Sequence, residues 1–296
     1  MPIDPDRLLE RKFKMVVQSY EAKDCMLYAL GLGLGLDPCD PAALPYVYED
    51  GLRVLPTMAC VLAAPGFWFR EPDSGIDWLR VVHAEQSFRL HRSLQPNATV
   101  RAEARIIDII DKGREKGALI RTARDIYAVA SGEHLATVIH TAFCRGEGGF
   151  RDIAPAPTSP EDRPRRAPDL VQDCPTSPQG ALIYRLSGDD NPLHADPAIA
   201  MKAGFRRPIL HGLATFGLAA FALTKALSPD GRQEIREMSG RFSSPVYPGE
   251  TLRVEIWTEG RDYAVDFRVM SKDSGAVVLK HGRASMTPVL QMPSTG

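Results

Sequence analysis

The amino-acid sequence predicts an α+β protein built from two similar halves, each a helical region followed by an antiparallel sheet. Three observations carry this. Pro96-Asn97-Ala98-Thr99-Val100-Arg101-Ala102-Glu103 lines up with Pro248-Gly249-Glu250-Thr251-Leu252-Arg253-Val254-Glu255, and both read as a turn followed by an alternating strand. Each copy opens a run of strands and is preceded by helical sequence, the order that lets a sheet wrap a helix. A proline-rich tract separates the two copies.

The first half, residues 1–150, has helical stretches over 22–36 and after Pro56, then alternating segments near 100–109, 118–129 and 135–144. Polar turns at Lys112-Gly113 and Ser131-Gly132 join those strands, as an antiparallel sheet requires. The second half, residues 181–296, repeats the plan, with helices over 197–203 and 212–227 and strands over 251–257, 263–270 and 276–286. Between them, residues 151–180 hold Pro155, Pro157, Pro160, Pro164, Pro168, Pro175 and Pro178, seven of the chain's 24 prolines. That tract reads as an extended linker, and Arg163, Arg165 and Arg166 within it as solvated charge.

With 296 residues, 44% hydrophobic and 25% charged, the composition is that of a globular chain with a sizeable core. No apolar run approaches the ~18 residues of a membrane span, and the acidic start Met1-Pro2-Ile3-Asp4-Pro5-Asp6 is unlike a secretory signal. A net charge of -1 excludes non-specific binding of nucleic acid or anionic membrane through a global positive field. Five cysteines without any Cys-x-x-Cys predict reduced thiols rather than a disulfide framework or zinc ribbon. Gly31-Leu32-Gly33-Leu34-Gly35-Leu36 lacks the dinucleotide-loop spacing and reads as a glycine-softened helix end. NTPase, zinc-protease and serine-hydrolase motifs are absent. His83, His91, His134, His140 and His281 fall in strand-like contexts and read as packing or surface residues.

Chemistry concentrates between Tyr184 and Thr215. Gly188 permits a tight turn, Pro192 pushes Asn191 out of the α region, Asp196 caps a helix opened by Pro197, and Gly204 closes that helix. Capping leaves unexplained an acid, an amide and an imidazole, Asp189, Asn191 and His194, within six residues of non-helical chain. From the residues alone three readings stay open. The group holds a water and moves its protons. Alternatively it is a turn whose Asp and Asn bond their own backbone while His194 is merely exposed. Or Asp189, Asp190 and His194 bind a metal, a reading weakened because no second histidine is near in sequence.

Gly188-Asp189-Asp190-Asn191-Pro192-Leu193-His194 resembles the signature of type 2, (R)-specific enoyl-CoA hydratases, MaoC-like dehydratases with a double hot dog fold. Pro208-Ile209-Leu210-His211-Gly212-Leu213 and Arg241-Phe242-Ser243-Ser244-Pro245-Val246-Tyr247-Pro248-Gly249 are similar to the same family. In the first half, Met26-Leu27-Tyr28-Ala29-Leu30-Gly31, Tyr48-Glu49, Leu55-Pro56-Thr57 and His83-Ala84-Glu85-Gln86 resemble the hydratase region of peroxisomal multifunctional enzyme type 2. The likeness spans nearly the whole chain apart from the linker.

This resemblance implies a lyase that adds water syn across a trans-2-enoyl-CoA, giving the (3R)-3-hydroxyacyl-CoA, without cofactor or metal. Asp189 and His194 become the acid/base pair, Asn191 their orienter, and the Gly212 N–H the donor to the developing enolate oxygen. Tyr184, His211 and Glu49 match family positions and support the loop and substrate. Lys202, Arg206 and Arg207 stand beside it as candidates for the CoA phosphates, or as plain surface charge. A non-catalytic first half is then expected to line an acyl-tail pocket. Rival readings are a thioesterase on the same fold and a non-catalytic acyl-CoA-binding module. We expect a homodimer, and the absence of a terminal Ser-Lys-Leu tilts the expected location toward a bacterial cytoplasm.

Overall fold

The structure, a computed structural model, describes residues 3–151, 166–258 and 264–288. The first half runs α1 (Pro5–Leu9), β1 (Val16–Tyr20), α2 (Ala22–Leu32), α3 (Leu44–Val47), a 3-10 stretch Pro56–Cys60, then β2 (Val81–Leu90), β3 (Ala98–Asp111), β4 (Gly117–Ala128) and β5 (His134–Arg145). The second runs β6 (Leu170–Pro175), α4 (Gly180–Tyr184), α5 (Pro197–Lys202), α6 (Gly212–Leu227), β7 (Gln233–Phe242), β8 (Thr251–Thr258), β9 (Ala264–Ser271) and β10 (Val277–Pro288). The strands form one antiparallel sheet in the order β1-β3-β4-β5-β2-β7-β10-β9-β8-β6. Read outward from the β2–β7 junction, both sides have the same connectivity. The repeated octapeptides open β3 and β8, each next to its half's edge strand.

Among the described residues each half has five strands where the sequence pattern showed three. β2, Val81-Val82-His83-Ala84-Glu85-Gln86-Ser87-Phe88-Arg89-Leu90, and β7 mix polar with apolar residues, so their alternation is blurred. They form because each pairs on both sides, Gln86 facing His140 of β5 and Gly240 of β7. The expected 151–180 linker is also shorter than its prolines suggested. Residues 152–165, including Arg163 and Arg165, lie outside the described residues, but Leu170–Pro175 is an edge strand with Cys174 opposite Leu252. Proline is tolerated there because an edge residue can leave one hydrogen-bonding side unpaired. Arg166 is no free surface charge either, since its Nη2 donates to Asp169 Oδ2 at 2.8 Å.

The halves differ in their central helix. α6 is apolar on every side, free of proline, and buried from Ala214 to Thr224, as expected for a helix enclosed by a sheet. In the first half Pro56–Cys60 packs on β2 and β5, one fully buried 3-10 stretch. Arg124 of β4 reaches its end, donating from Nη2 to the carbonyls of Ala59 at 3.1 Å and Cys60 at 2.7 Å. α2 ends at Leu32 with Gly33 at φ +97°, the helix end its glycines predicted. Gly31 serves packing, because a Cβ there would fall 2.9 Å from Tyr184 Cα on α4.

Apolar residues of the first-half sheet fall into two clusters. Ile126, Val138 and Phe88 belong to the main core; Ile120, Ala142 and Ile109 belong to a second core covered by Trp68 and Phe69. Between them runs a rung of Thr122, His140 and Gln86, with Arg124 beside it. Buried polar atoms without partners cost about 1–3 kcal/mol each. Two occur here, Thr122 Oγ1 and Arg124 Nε.

Candidate active site

Tyr184 ends α4, and a 3-10 turn over Arg185–Ser187 leads to Gly188 at φ +116°, which reverses the chain. Asp189 accepts the Asn191 N–H at 3.3 Å, and Asn191 Oδ1 accepts the Leu193 N–H at 3.2 Å, opening the short 3-10 turn Pro192–His194. Asp196 then caps α5, accepting from Ala198 N at 2.7 Å and Ile199 N at 3.3 Å. The chain returns through Leu210, whose N–H donates to the Val246 carbonyl at 2.7 Å, and enters α6 at His211.

The local turn chemistry anticipated for Asp189 and Asn191 is therefore real. His194, however, is buried at 9% exposure. Its Nδ1–H donates to the Ile209 carbonyl at 2.8 Å, which fixes the tautomer and leaves Nε2 as a proton acceptor. Burial pulls the imidazole below its ordinary pKa, against support from the Asp189 carboxylate and the Ile209 carbonyl. His194 is thus a neutral base.

A second histidine, distant in sequence, completes the group. His211 stacks on His194 with ring centroids 3.7 Å apart and planes at 27°, and its Nε2–H donates to the Asp189 carbonyl at 3.3 Å. Burial and the neighbouring His194 push its pKa far down. Ligating atoms of Asp189, His194 and His211 lie within 4.8 Å of one another. Two ~2.8 Å hydrogen bonds meeting at about 109° span about 4.6 Å, so one water can touch two of these groups. The set could also hold a divalent cation, which the sequence reading discounted for want of the second histidine. Against that, the positive end of the α6 dipole adjoins it.

Tyr184 and His211, expected among the substrate-binding residues, are 0% and 1% exposed, and their rings pack 4.9 Å apart. Gly212 is the first residue of α6, and among the described residues its N–H has no hydrogen-bond partner. A Cβ there would meet the Phe242 ring at 3.2 Å, so glycine keeps this helix start open. Arg206 and Arg207 lie over the Tyr247 ring at 4.3 and 5.3 Å, and Arg206 also stands 3.6 Å from Glu250. Lys202 is exposed at the end of α5. Glu49 is exposed after α3, and its carboxylate makes no hydrogen bond or ion pair with any described residue.

His83, read from sequence as a packing residue, comes to this region from the first half. Its ring rests on Phe242 at 4.8 Å, and the Asp189 carboxylate is near enough to raise its proton affinity, although burial brings its pKa down to about 4. The signal was present in His83-Ala84-Glu85-Gln86, a tetrapeptide similar to the hydratase family.

Residues 159–278 match the MaoC like domain, and residues 18–146 match the MFE-2 hydratase 2 N-terminal domain. The enoyl-CoA hydratase ChsH3 of Mycobacterium tuberculosis is 38% identical over 94% of this chain and 97% of its own length. The chain belongs to the MaoC-like hydratase family. A MaoC-like dehydratase from Phytophthora capsici superposes with a TM-score of 0.82 at 31% identity, covering 97% of this chain and 99% of its own. At 15% identity, a Mycobacterium tuberculosis protein described as having a double hot dog fold superposes with a TM-score of 0.58, covering 97% and 98% of the two chains. The fold is therefore the double hot dog that the family resemblance implied.

Proposed function

We infer that this chain reversibly hydrates trans-2-enoyl-CoA thioesters to (3R)-3-hydroxyacyl-CoA. The observation that carries this is Asp189 within 4.8 Å of a neutral, tautomer-fixed His194, next to the Gly212 N–H of α6, which has no partner among the described residues. Water held by the pair adds its oxygen to C3 while one of its protons passes to the pair, and the pair returns a proton to C2. Charge gathering on the thioester oxygen during C3 attack meets Gly212 N–H and the positive end of α6. Asn191 has its Oδ1 engaged in the turn and keeps its amide N–H groups for the water or the pair. Tyr184 and His211 hold the loop from behind. Arg206, Arg207 and Lys202 are offered to the CoA phosphates, and Glu49 is the weakest member of the substrate set.

The decisive experiment mixes the protein with crotonyl-CoA and longer trans-2-enoyl-CoAs, follows loss of the conjugated thioester absorbance, and determines product chirality. Free CoA released instead would mark a thioesterase; binding without turnover would mark a non-catalytic module. Residues 1–150 are proposed to line the acyl-tail pocket and 181–296 to carry the chemistry. On that reading kcat/KM rises with tail length, by up to about fourfold per methylene from ~0.8 kcal/mol of burial, until the pocket ends. A constant kcat/KM from crotonyl-CoA upward would remove the pocket. No helix among the described residues is long and apolar enough to cross a membrane. The expected homodimer and cytoplasmic location are checked by solution mass and by cell fractionation.

A further inference from the structure

From His83, which lies near Asp189, the first half carries a run of polar side chains that hydration does not use. Gln86, His140 and Thr122 share one rung across β2, β5 and β4, Arg124 sits on the inner face of β4, and His83 packs on His140 with ring centroids 4.2 Å apart. This seam runs between two apolar clusters on the inner face of the sheet. Its bonding is incomplete. His140 is half-buried, and its imidazole makes no hydrogen bond with any described residue. Thr122 Oγ1 and Arg124 Nε, in side chains 6% and 8% exposed, are buried without partners. No carboxylate among the described residues pairs with Arg124, whose pKa burial lowers to about 10. Burial also keeps both histidines neutral; His83 spends its Nε2–H on the Glu85 carbonyl at 3.1 Å and keeps one acceptor nitrogen, whereas His140 offers one donor and one acceptor.

The seam is continuous with the site. Phe242, the ring that faces Gly212, also carries the ring of His83. An acyl tail extending from the Gly212 side into the first half therefore meets these groups. A plain alkyl tail would strip them of water and give nothing back, whereas an oxygen on the tail would satisfy them.

We propose that His83, Gln86, His140, Thr122 and Arg124 form a specificity subsite for an oxygen atom, hydroxyl or carbonyl, carried on the acyl tail. The proposal takes the acyl-CoA class from the hydratase reading and adds the polarity of the tail. Because saturated acyl-CoAs bind without reacting, titration calorimetry with them tests the seam apart from the chemistry. Decanoyl-CoA is compared with chains of the same length bearing one hydroxyl or one keto group at successive distal positions. The expected result is at least one oxygenated isomer bound about tenfold more tightly than the plain chain, with the hydroxyl and keto series showing which oxygen fits. That preference should shrink in the near-isosteric Thr122→Val and vanish in His140→Phe. Taking the ratio within each variant cancels any loss common to both ligands, and melting temperatures confirm folding. A preference that persists while no enoyl-CoA is hydrated sustains the subsite and sinks the hydratase reading. Equal or weaker binding of every oxygenated isomer to the wild type overturns the proposal, as does a preference that survives both substitutions.

Discussion

Replacing Asp189 by Asn preserves the loop's shape but removes its charge, and His194→Ala removes the acceptor that Ile209 orients. Each should lower kcat by about 10²–10⁴-fold with little change in acyl-CoA affinity, because a positioned acid or base contributes on that scale. Since both groups act on one water, the double variant should be little worse than either single. Independent, multiplying losses in steady-state kinetics would contradict the shared water. The histidines also set the protein's response to acid. His83, His140, His194 and His211 all titrate below the ordinary 6.5 because burial disfavours their charge. Below pH 6.5 the unfolded chain binds protons that the folded chain refuses, so their stabilising contribution is present above that pH and falls away as pH drops toward 4. Melting temperature should decline across that window, and His83→Gln should flatten the decline. A melting temperature constant from pH 7 to 4.5 would contradict the assignment.

Among the elements, α2 and α4 show how packing reaches the site. Gly31 lets the two cross so closely that a Cβ added there would fall 2.9 Å from Tyr184 Cα, and the Tyr184 ring packs on that of His211. Gly31→Ala must push backbone against backbone, which overpacking data place at about 1–3 kcal/mol of lost stability. Denaturant unfolding should show that loss, together with a fall in kcat as Tyr184 and the loop behind His194 shift. Unchanged values for both would mean the elements slide apart freely. The elements were unequally legible. α6 was readable to the residue because its apolar run has no breaker, and α5 because Asp196-Pro197 and Gly204 mark its ends. β2 and β7 were not, since their polar residues are accommodated by neighbours on both sides rather than by an alternating pattern. β6 was hidden by Pro175, which only an edge position tolerates.

Taken as a whole, the molecule is held together by the β2–β7 junction and by the contact of both halves with α6. Glu85 to Arg89 pair with Arg241 to Glu237, and Phe88 of β2 meets Phe216 of α6 edge-on at 6.2 Å. A protease site inserted between residues 155 and 160 and then cut should therefore leave the two fragments co-eluting as one folded particle. Fragments that separate and stay folded would mean independent domains. By itself the sequence determined the repeat, the α+β class, and the turn at 188–194 with its caps, because each of these depends on residues close together in the chain. Only the tertiary structure decided that His211 stacks on His194, that Tyr184 and His211 are buried, that Glu49 is exposed, and that His83 of the first half comes near Asp189 with a polar rung packed behind it. Those relations join residues far apart in sequence, and burial, register and charge at such distances exist only once the sheet has closed around α6.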